Sequence, residues 1–571
     1  MYDPQILNSG FLNFSSITDY YNGLVNGIGP QSGDFYQQTF TGHPTVPLAI
    51  YSLGLYLQDT WKVKPGLTLT LALRADHNSN AVCQTNCFSR LVSQFSNLPH
   101  DVNVPYNQVI DAGLHQAFGG LQAVAWQPRF GFAWTPIGFD NTVIRGGVGL
   151  FSDLYAGVLL DNVVTNAPGV NGFQISGPNL AASPGAPGVD GSVSGIAANS
   201  NTSFLNGFSG GQTLAQIQAG SPFFAPPSYY SVAHINNPMY LEWNFEIQQQ
   251  LTGNDVLSLN YVGNHGYNLL VENPGLNAFG PVAGAPLAPL DPRFGTIFEL
   301  NSVAYSNYNG LVASFTHRFS HSFQATVGYT WSHALDETSS VPNTPFGFNT
   351  TLPNQIDPTN LRRLNYSSGD GDVRNNLVAS YVWNVPGRSN NAIASRLVSG
   401  WQFGGTVYLR SGLPYSVVDN LAINSLANFG AGLANGGFVL PALTSGSTLS
   451  CNNPAQPCVV SPMFNGGAGP GTETSFGNVP RNSFRGPGYF DSDLSVGKNI
   501  KLTERVNFKI GANFYNIFNH PNFQAPAHDL SNAGTFGQIL ATVPQPTNPY
   551  GSYQQAGVSG RLIQFEGKIT F

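Results

Sequence analysis

The stretch AIYSLGLYLQDTWKVKPGLTLTLALRAD, residues 49–76, decides what this chain builds. Tyr51, Leu53, Leu55 and Leu57 alternate with Ser52, Gly54, Tyr56 and Gln58. After Lys64-Pro65-Gly66, Leu67, Leu69, Leu71 and Leu73 alternate with Thr68, Thr70, Ala72 and Arg74. A side-chain period of two is a β-strand with one apolar and one polar face. Two such runs joined by a tight Pro-Gly link are a hairpin.

The same alternation recurs along the sequence. It is read at roughly 126–135, 142–152, 240–250, 255–264, 308–319, 322–333, 374–384, 401–411, 489–499, 503–517 and 559–571. That makes about thirteen clear segments, most of them near the ~9–11 residues that cross a bilayer as a tilted strand. The last, RLIQFEGKITF, sets Ile563, Phe565, Ile569 and Phe571 against Gln564, Glu566, Lys568 and Thr570.

The links between segments alternate in length. Short ones fall at 64–66, 136–141, 252–255, 320–321 and near 498–499; long ones span 77–125, 153–239, 265–307, 334–373, 412–488 and 518–558. The link 385–400 is intermediate. A soluble sandwich has no reason to lengthen every second loop, whereas a transmembrane barrel has short periplasmic turns and long extracellular loops. Charge obeys the same parity. Arg74, Arg129, Arg145, Glu242, Glu246, Arg410, Lys509, Glu566 and Lys568 lie on the polar face, and Trp126, Trp134, Trp243, Trp331, Trp383 and Phe508 on the apolar one. Asp59, His317, Lys498 and Arg561 break the rule near segment ends, where a charge facing lipid costs least. The fold class expected is therefore all-β, an antiparallel transmembrane β-barrel with long extracellular loops. Allowing for one to three further strands, it holds about 14–16.

Composition agrees. Of 571 residues only 9 % are charged, against roughly 25 % in ordinary domains, while 12 % are aromatic. Disordered chains are poor in aromatics and rich in charge. A net charge of −7 offers no basic footprint for nucleic acid. No window has the ~18 apolar residues of a membrane helix. The opening MYDPQILNSGFLNF has neither a basic n-region nor an apolar h-region, so no signal peptide is read in it.

The four cysteines form two local pairs, Cys83/Cys87 and Cys451/Cys458, in polar segments of long loops. Two short disulfides outside the cell are favoured over zinc, whose usual spacing and histidines are missing; four reduced thiols are the alternative. No catalytic, metal or cofactor residues are assigned, and no enzyme is expected. His317 and His321 invite a metal reading, but Ser320-His321 is read as the turn of a hairpin rather than a helix face, which disfavours it. GDGD (369–372) lacks the spacing of a calcium loop and is read as the start of a strand. Ser332 and His333 are adjacent and hence on opposite faces. A barrel phospholipase would need a Ser/His pair facing lipid near the outer rim, and none is convincing.

Several longer stretches carry a resemblance. YLQDTWKVKPGLTLTLALRAD, WQPRFGFAWTPIGFDNTVIRGGVGLFSD, LEWNFEIQQQLTGNDVLSLNYVGNHGYNLL, SNYNGLVASFTHRFSHSFQATVGYTWSHALD, GDVRNNLVASYVWNVPG, GWQFGGTVYLRSGLP and NFKIGANFYNIFNHPNFQAP occur in that order. Together with the terminal strand they resemble the β-barrel of Oar-like TonB-dependent receptors, from about residue 11 onward. The resemblance implies residence in the outer membrane of a Gram-negative-type bacterium and uptake of an unknown ligand bound at extracellular loops. It implies outer-membrane lipid and the barrel-assembly machinery as partners, the latter reading Ile563, Phe565, Ile569 and Phe571. TonB would be a partner only if a plug is supplied, and no plug or TonB-contacting segment is recognisable here. Plugged transporters have ~22 strands, so residues 1–50 are expected to be an N-terminal remnant with a strand and 51–571 an incomplete barrel, either open at its edges or closed with an even strand number. The other function class carried forward is a structural or adhesive surface protein.

Overall fold

The computed structural model describes the chain apart from 1–8, 26–34, 176–179, 182–191, 280–285, 340–352, 388–393, 420–440, 445–448, 466–475, 545–556 and scattered single positions or pairs. Its main body is one sheet of thirteen antiparallel strands, each paired to the next in sequence. They are β1 (Ser52–Lys64), β2 (Leu67–Asn78), β3 (Ala125–Trp134), β4 (Thr142–Ser152), β5 (Met239–Gln250), β6 (Asp255–Asn273) and β7 (Ile297–Ser320). The remainder are β8 (Phe323–Asp336), β9 (Asn375–Asn384), β10 (Trp401–Arg410), β11 (Tyr489–Lys501), β12 (Asn507–Tyr515) and β13 (Leu562–Thr570). Two short pieces, Tyr229–Ser231 and Ser367–Ser368, bring the sheet to fifteen strands.

The turn between β1 and β2 shows why the sequence folds this way locally. Gly66 has φ +79°, and a Cβ there would lie 2.6 Å from the carbonyl oxygen of Thr135, so only glycine fits the corner. Beyond it the register holds Leu57 opposite Leu73 and Thr60 opposite Thr70. Apolar side chains meet on one face and polar ones on the other.

The apolar face is exposed, as a lipid-facing surface must be in the absence of lipid. Leu55, Leu57, Leu71, Trp126, Trp331 and Phe565 all stand open. On β3, Trp126 and Trp134 share this face eight residues apart; on β8, Phe323 and Trp331 do the same. At ~3.3 Å per residue and a ~45° tilt, eight residues rise about 19 Å, close to the height of the apolar band between aromatic girdles. The lower girdle is continuous over three strands, since Phe323 is opposite Trp383 and Trp383 is opposite Phe403.

Among the described residues no pairing joins β1 to β13, so the sheet is open. Every residue of β1 is exposed, as is nearly all of β13. Both edge strands run from the long-loop side toward the short-turn side. Direct pairing between them would be parallel, and antiparallel closure needs an odd number of strands in the gap.

The described parts of the long connections form packed cores. Residues 77–125, 153–239 and 265–307 share cores around Phe95, Tyr106, Phe204 and Phe294, and around Phe88, Phe118, Tyr155 and Leu159. Residues 412–488 and 518–558 share another, around Tyr415, Phe464, Phe484 and Phe536. The polar, glycine-rich stretches carry enough aromatics to close these cores; in 179–203 the Gly/Ser/Asn run leads into helix α1 (Val193–Ser209), capped by Ser192. Strands β6 and β7 also run well past the segments read from sequence and enter this outer body. The described strands Phe11–Asn13 and Phe35–Thr41 belong to the same body. Phe35–Thr41 lies between Phe11–Asn13 and Val170–Ile175 in a separate three-stranded sheet, and among the described residues no strand of 1–50 joins the wall.

Candidate functional site

The two faces of the wall differ in kind, and the lumen face carries the chemistry. On it Arg145 Nη1 is 3.7 Å from Glu246 Oε2, and Ser258 Oγ donates to Glu246 Oε1 at 2.6 Å. Across β12 and β13, Lys509 Nζ is 2.9 Å from Glu566 Oε1. Near the outer end, register sets Asn376 beside Arg410 and Arg410 beside Tyr489, with Asp491 opposite Tyr408. The Arg410 guanidinium sits 5.3 Å from the Tyr489 ring centre. Asp491 is buried, and its Oδ1 finds no hydrogen-bond partner among the described residues.

Above this rim, ion pairs tie the loops to the strand ends. Asp372 accepts from Arg374 Nε at 2.8 Å and pairs with Arg485 Nη2; His333 Nε2 lies 3.9 Å away. Burial pushes the Asp372 carboxyl up, but the Ala334 N–H and the two guanidinia outweigh it and hold the group below its ordinary value. Asp336 pairs with Arg481, whose side chain is almost wholly buried. Asp370 is bound by Asn482 Nδ2 at 2.7 Å; burial pushes it up to about 6 against the pull of Asn482 and Arg481. The short helix α2 (Leu361–Asn365) links both halves of the body: Arg362 lies over the Tyr305 ring at 5.2 Å, and Arg363 donates to Asp357 and to the Gly477 carbonyl.

A second lock joins loops 77–125 and 265–307. Arg293 has no exposed surface, and its Nε and Nη2 clasp Asp291 at 2.9 and 2.6 Å. Nη1 and Nη2 also donate to the carbonyls of Val104 and Pro99. Neither the Asp291–Arg293 nor the Asp336–Arg481 pair was visible in the period-two pattern. The signal available was scarcity: in a chain so poor in charge, DPR (291–293) and RNSFR (481–485) are conspicuous inside loops.

The cysteines singled out by sequence are brought together in pairs. Cys83 is bonded to Cys87 with a Cα separation of 5.8 Å, and Cys451 to Cys458 with 4.7 Å. Each pair lies in an outer-body core. Ile563, Phe565 and Ile569 lie on the lipid parity of β13, opposite Phe514, Ala512 and Phe508, and Phe571 follows the strand fully exposed. GDGD is not a strand start: it forms the turn that carries Asp370 and Asp372, and β9 begins at Asn375, because Asp372 is drawn into ion pairs with Arg374 and Arg485 and Asp370 into a hydrogen bond from Asn482. The hairpin turn near His321 falls at His321-Ser322 rather than Ser320-His321. Ser332 and His333 point apart, to Val373 and to Arg374.

Residues 5–564 match the family described as outer membrane beta barrel domain. The chain belongs to that family. It is an outer-membrane β-barrel protein of the Gram-negative type, and its wall and girdles are those of a barrel that crosses with strands. Among solved structures it is similar to a variant of the ferric enterobactin receptor PfeA from Pseudomonas aeruginosa with enterobactin bound (10 % identity, TM-score 0.41, 96 % of this chain and 48 % of that one). It is also similar to the siderophore receptor PiuA from Acinetobacter baumannii (9 %, 0.39, 94 % and 44 %). The FrpB iron transporter from Neisseria meningitidis is comparable (11 %, 0.39, 94 % and 51 %). The barrel chain spans about half the length of these receptors. No curated protein matches it.

Proposed function

We propose that the barrel is the translocating part of an uptake receptor, in which a polar ligand is held by the outer body and passed along the lumen wall. What supports this most is a series of charged groups from body to lumen: Arg485, Asp372 and Arg374 above the rim, Arg410 and Asp491 at it, and the Lys509–Glu566 pair below. Buried polar groups left without partners, such as Asp491 Oδ1, are what a polar ligand would satisfy. Lipid covers the opposite parity, the barrel-assembly machinery engages the β13 edge, and TonB acts only through a plug supplied by further sequence. In this reading residues 51–571 form the membrane wall with its long loops, and both disulfides lie outside the cell.

The test is binding. Purified protein titrated with ferric catecholate and hydroxamate chelates should quench its tryptophan fluorescence saturably, and the pair Asp491→Asn and Arg410→Gln should weaken that binding. A barrel that binds none of them but aggregates cells through its outer body would instead be the surface adhesin, a reading favoured by how well that body packs. Thiol labelling of intact cells should reach the four cysteines only after reduction; labelling of all four without reductant would refute the pairing.

A further inference from the structure

Where β7 turns into β8, the wall leaves its strict alternation. His317 is opposite Ala325, but the next pair is Ser320 opposite Phe323, so β7 holds one extra residue. Such a bulge reverses parity beyond itself and re-aims a side chain. Ser320 therefore lies on the lipid-side face with His317 and Phe323, not on the lumen face of Ser314 and Thr316. Asp255, the first residue of β6, is directly opposite His317. Asp255 Oδ1 is 2.6 Å from His317 Nδ1, and His317 Nε2 is 2.9 Å from Ser320 Oγ. Asp255 Oδ2 is fixed by Thr252 Oγ1 at 2.5 Å.

Serine, imidazole and carboxylate are thus in line, each within hydrogen-bond reach of the next, which is the arrangement that activates a hydroxyl as a nucleophile. The two residues after Ser320 add to it. His321 and Ser322 both have positive φ, 50° and 68°, a conformation that non-glycine residues hold at a cost. Their N–H groups make no hydrogen bond among the described residues, and are donors available beside the serine. The surroundings are apolar and interfacial: the Phe323 ring is 5.7 Å from His317, Phe319 is exposed, and Leu257 and Phe315 continue the same face upward. The turns on either side are short, which puts the group at the periplasmic rim.

We propose that Ser320, His317 and Asp255 form an acyl-ester hydrolase site on the lipid side of the barrel, acting on the carboxyl esters of glycerophospholipids in the periplasmic leaflet. Ser320 Oγ attacks the ester carbonyl while His317 Nε2 takes its proton. The bond to the glycerol oxygen breaks, and His317 returns the proton to that leaving alkoxide. Water, deprotonated by the same imidazole, then attacks the acyl-serine, releasing a fatty acid and restoring Ser320. Asp255 is a positioning residue that holds His317 with Nδ1 protonated. The site is remote from the outer mouth, so its failure would leave the receptor reading untouched, and the reverse.

The experiment uses the purified full chain folded in non-ionic detergent. It is treated with an alkyl fluorophosphonate and, separately, assayed for fatty-acid release from dipalmitoyl phosphatidylethanolamine in mixed micelles. The fluorophosphonate should attach to the peptide containing Ser320. Release should fall about 10²-fold or more in Ser320→Ala and His317→Gln, the scale of a lost general base. Ser314→Ala, on the lumen face, should keep full activity. Should the variants fail to fold, as read by heat-modifiable migration, labelling of the unaltered protein decides. An unlabelled Ser320 in the folded chain, or undiminished release by a folded Ser320→Ala, would overturn the proposal and leave the three residues as a turn staple.

Discussion

An arginine in the wall and an arginine in the outer body are held by different rules. Arg145 sits on the lumen parity of β4, half exposed, with Glu246 on the next strand. Arg293 is sealed from solvent and answers to Asp291, Val104 and Pro99, contributed by two separate loops. The wall tolerates charge wherever the period of two points it inward, so its specification is local and repeats. The outer body holds its buried guanidinium by a carboxylate two residues away and by carbonyls from a segment distant in sequence. One region is written as a pattern, the other as individual contacts.

The largest effect should come from breaking one such contact. Arg293→Met strips the buried Asp291 carboxylate of its guanidinium and leaves it only His100 Nδ1, at 3.3 Å, as a basic side-chain neighbour; breaking such a buried pair costs about 3–5 kcal/mol. Limited proteolysis should then cut within 77–125 and 265–307 while the wall stays heat-modifiable. Adding Asp291→Asn should recover much of the loss, because removing both charges avoids the stranded one. If the wall unfolds together with the body, the two regions are not energetically separate.

Next comes parity. Arg at Leu71, on the lipid face of β2, should destabilise the folded barrel by ~2–4 kcal/mol relative to Arg at Thr70 on the lumen face. Phe508→Arg against Asn507→Arg on β12 repeats the comparison in the other half. Denaturant titration in lipid vesicles measures both, and equal costs would mean the faces are misassigned.

A smaller effect belongs to pH. Asp370, raised to about 6 from an ordinary 3.8, binds protons more readily folded than unfolded. The outer body should therefore gain stability as pH falls through 6, a gain complete below about 4. Asp372, held low by its partners, works in the opposite sense and withdraws its contribution only as pH falls below that range. Thermal melting of the body should be highest near pH 4. Smallest is Lys509→Ala. Its pair with Glu566 is more than a third exposed on the Glu566 side, so the loss should be ~0–1 kcal/mol.

How much was legible follows from the same contrast. The alternation of Leu67, Leu69 and Leu71 with Thr68 and Thr70 was enough to read a barrel strand, and all thirteen wall strands were readable that way. Strand ends were less clear: β6 and β7 continue into the outer body, where both faces are covered and the alternation fades. The outer cores were missed because Phe95, Tyr106, Phe204 and Phe294 come from three loops and share no period. The Asp255–His317–Ser320 group was missed for a sharper reason. A strict parity count puts Ser320 on the lumen side, and only the bulge after His317, which a sequence pattern does not announce, returns it to the lipid side.

Strand β2 shows the two faces of the wall most directly. Single cysteines placed in turn at residues 67–76, in a background without Cys83, Cys87, Cys451 and Cys458, can be tested in lipid vesicles with a water-soluble maleimide and a bilayer-buried quencher of an attached fluorophore. Positions 68, 70, 72 and 74 should take the maleimide, and 69, 71 and 73 should be quenched from the lipid, in a clean period of two. A period near 3.6, or uniform accessibility along the segment, would contradict the barrel itself.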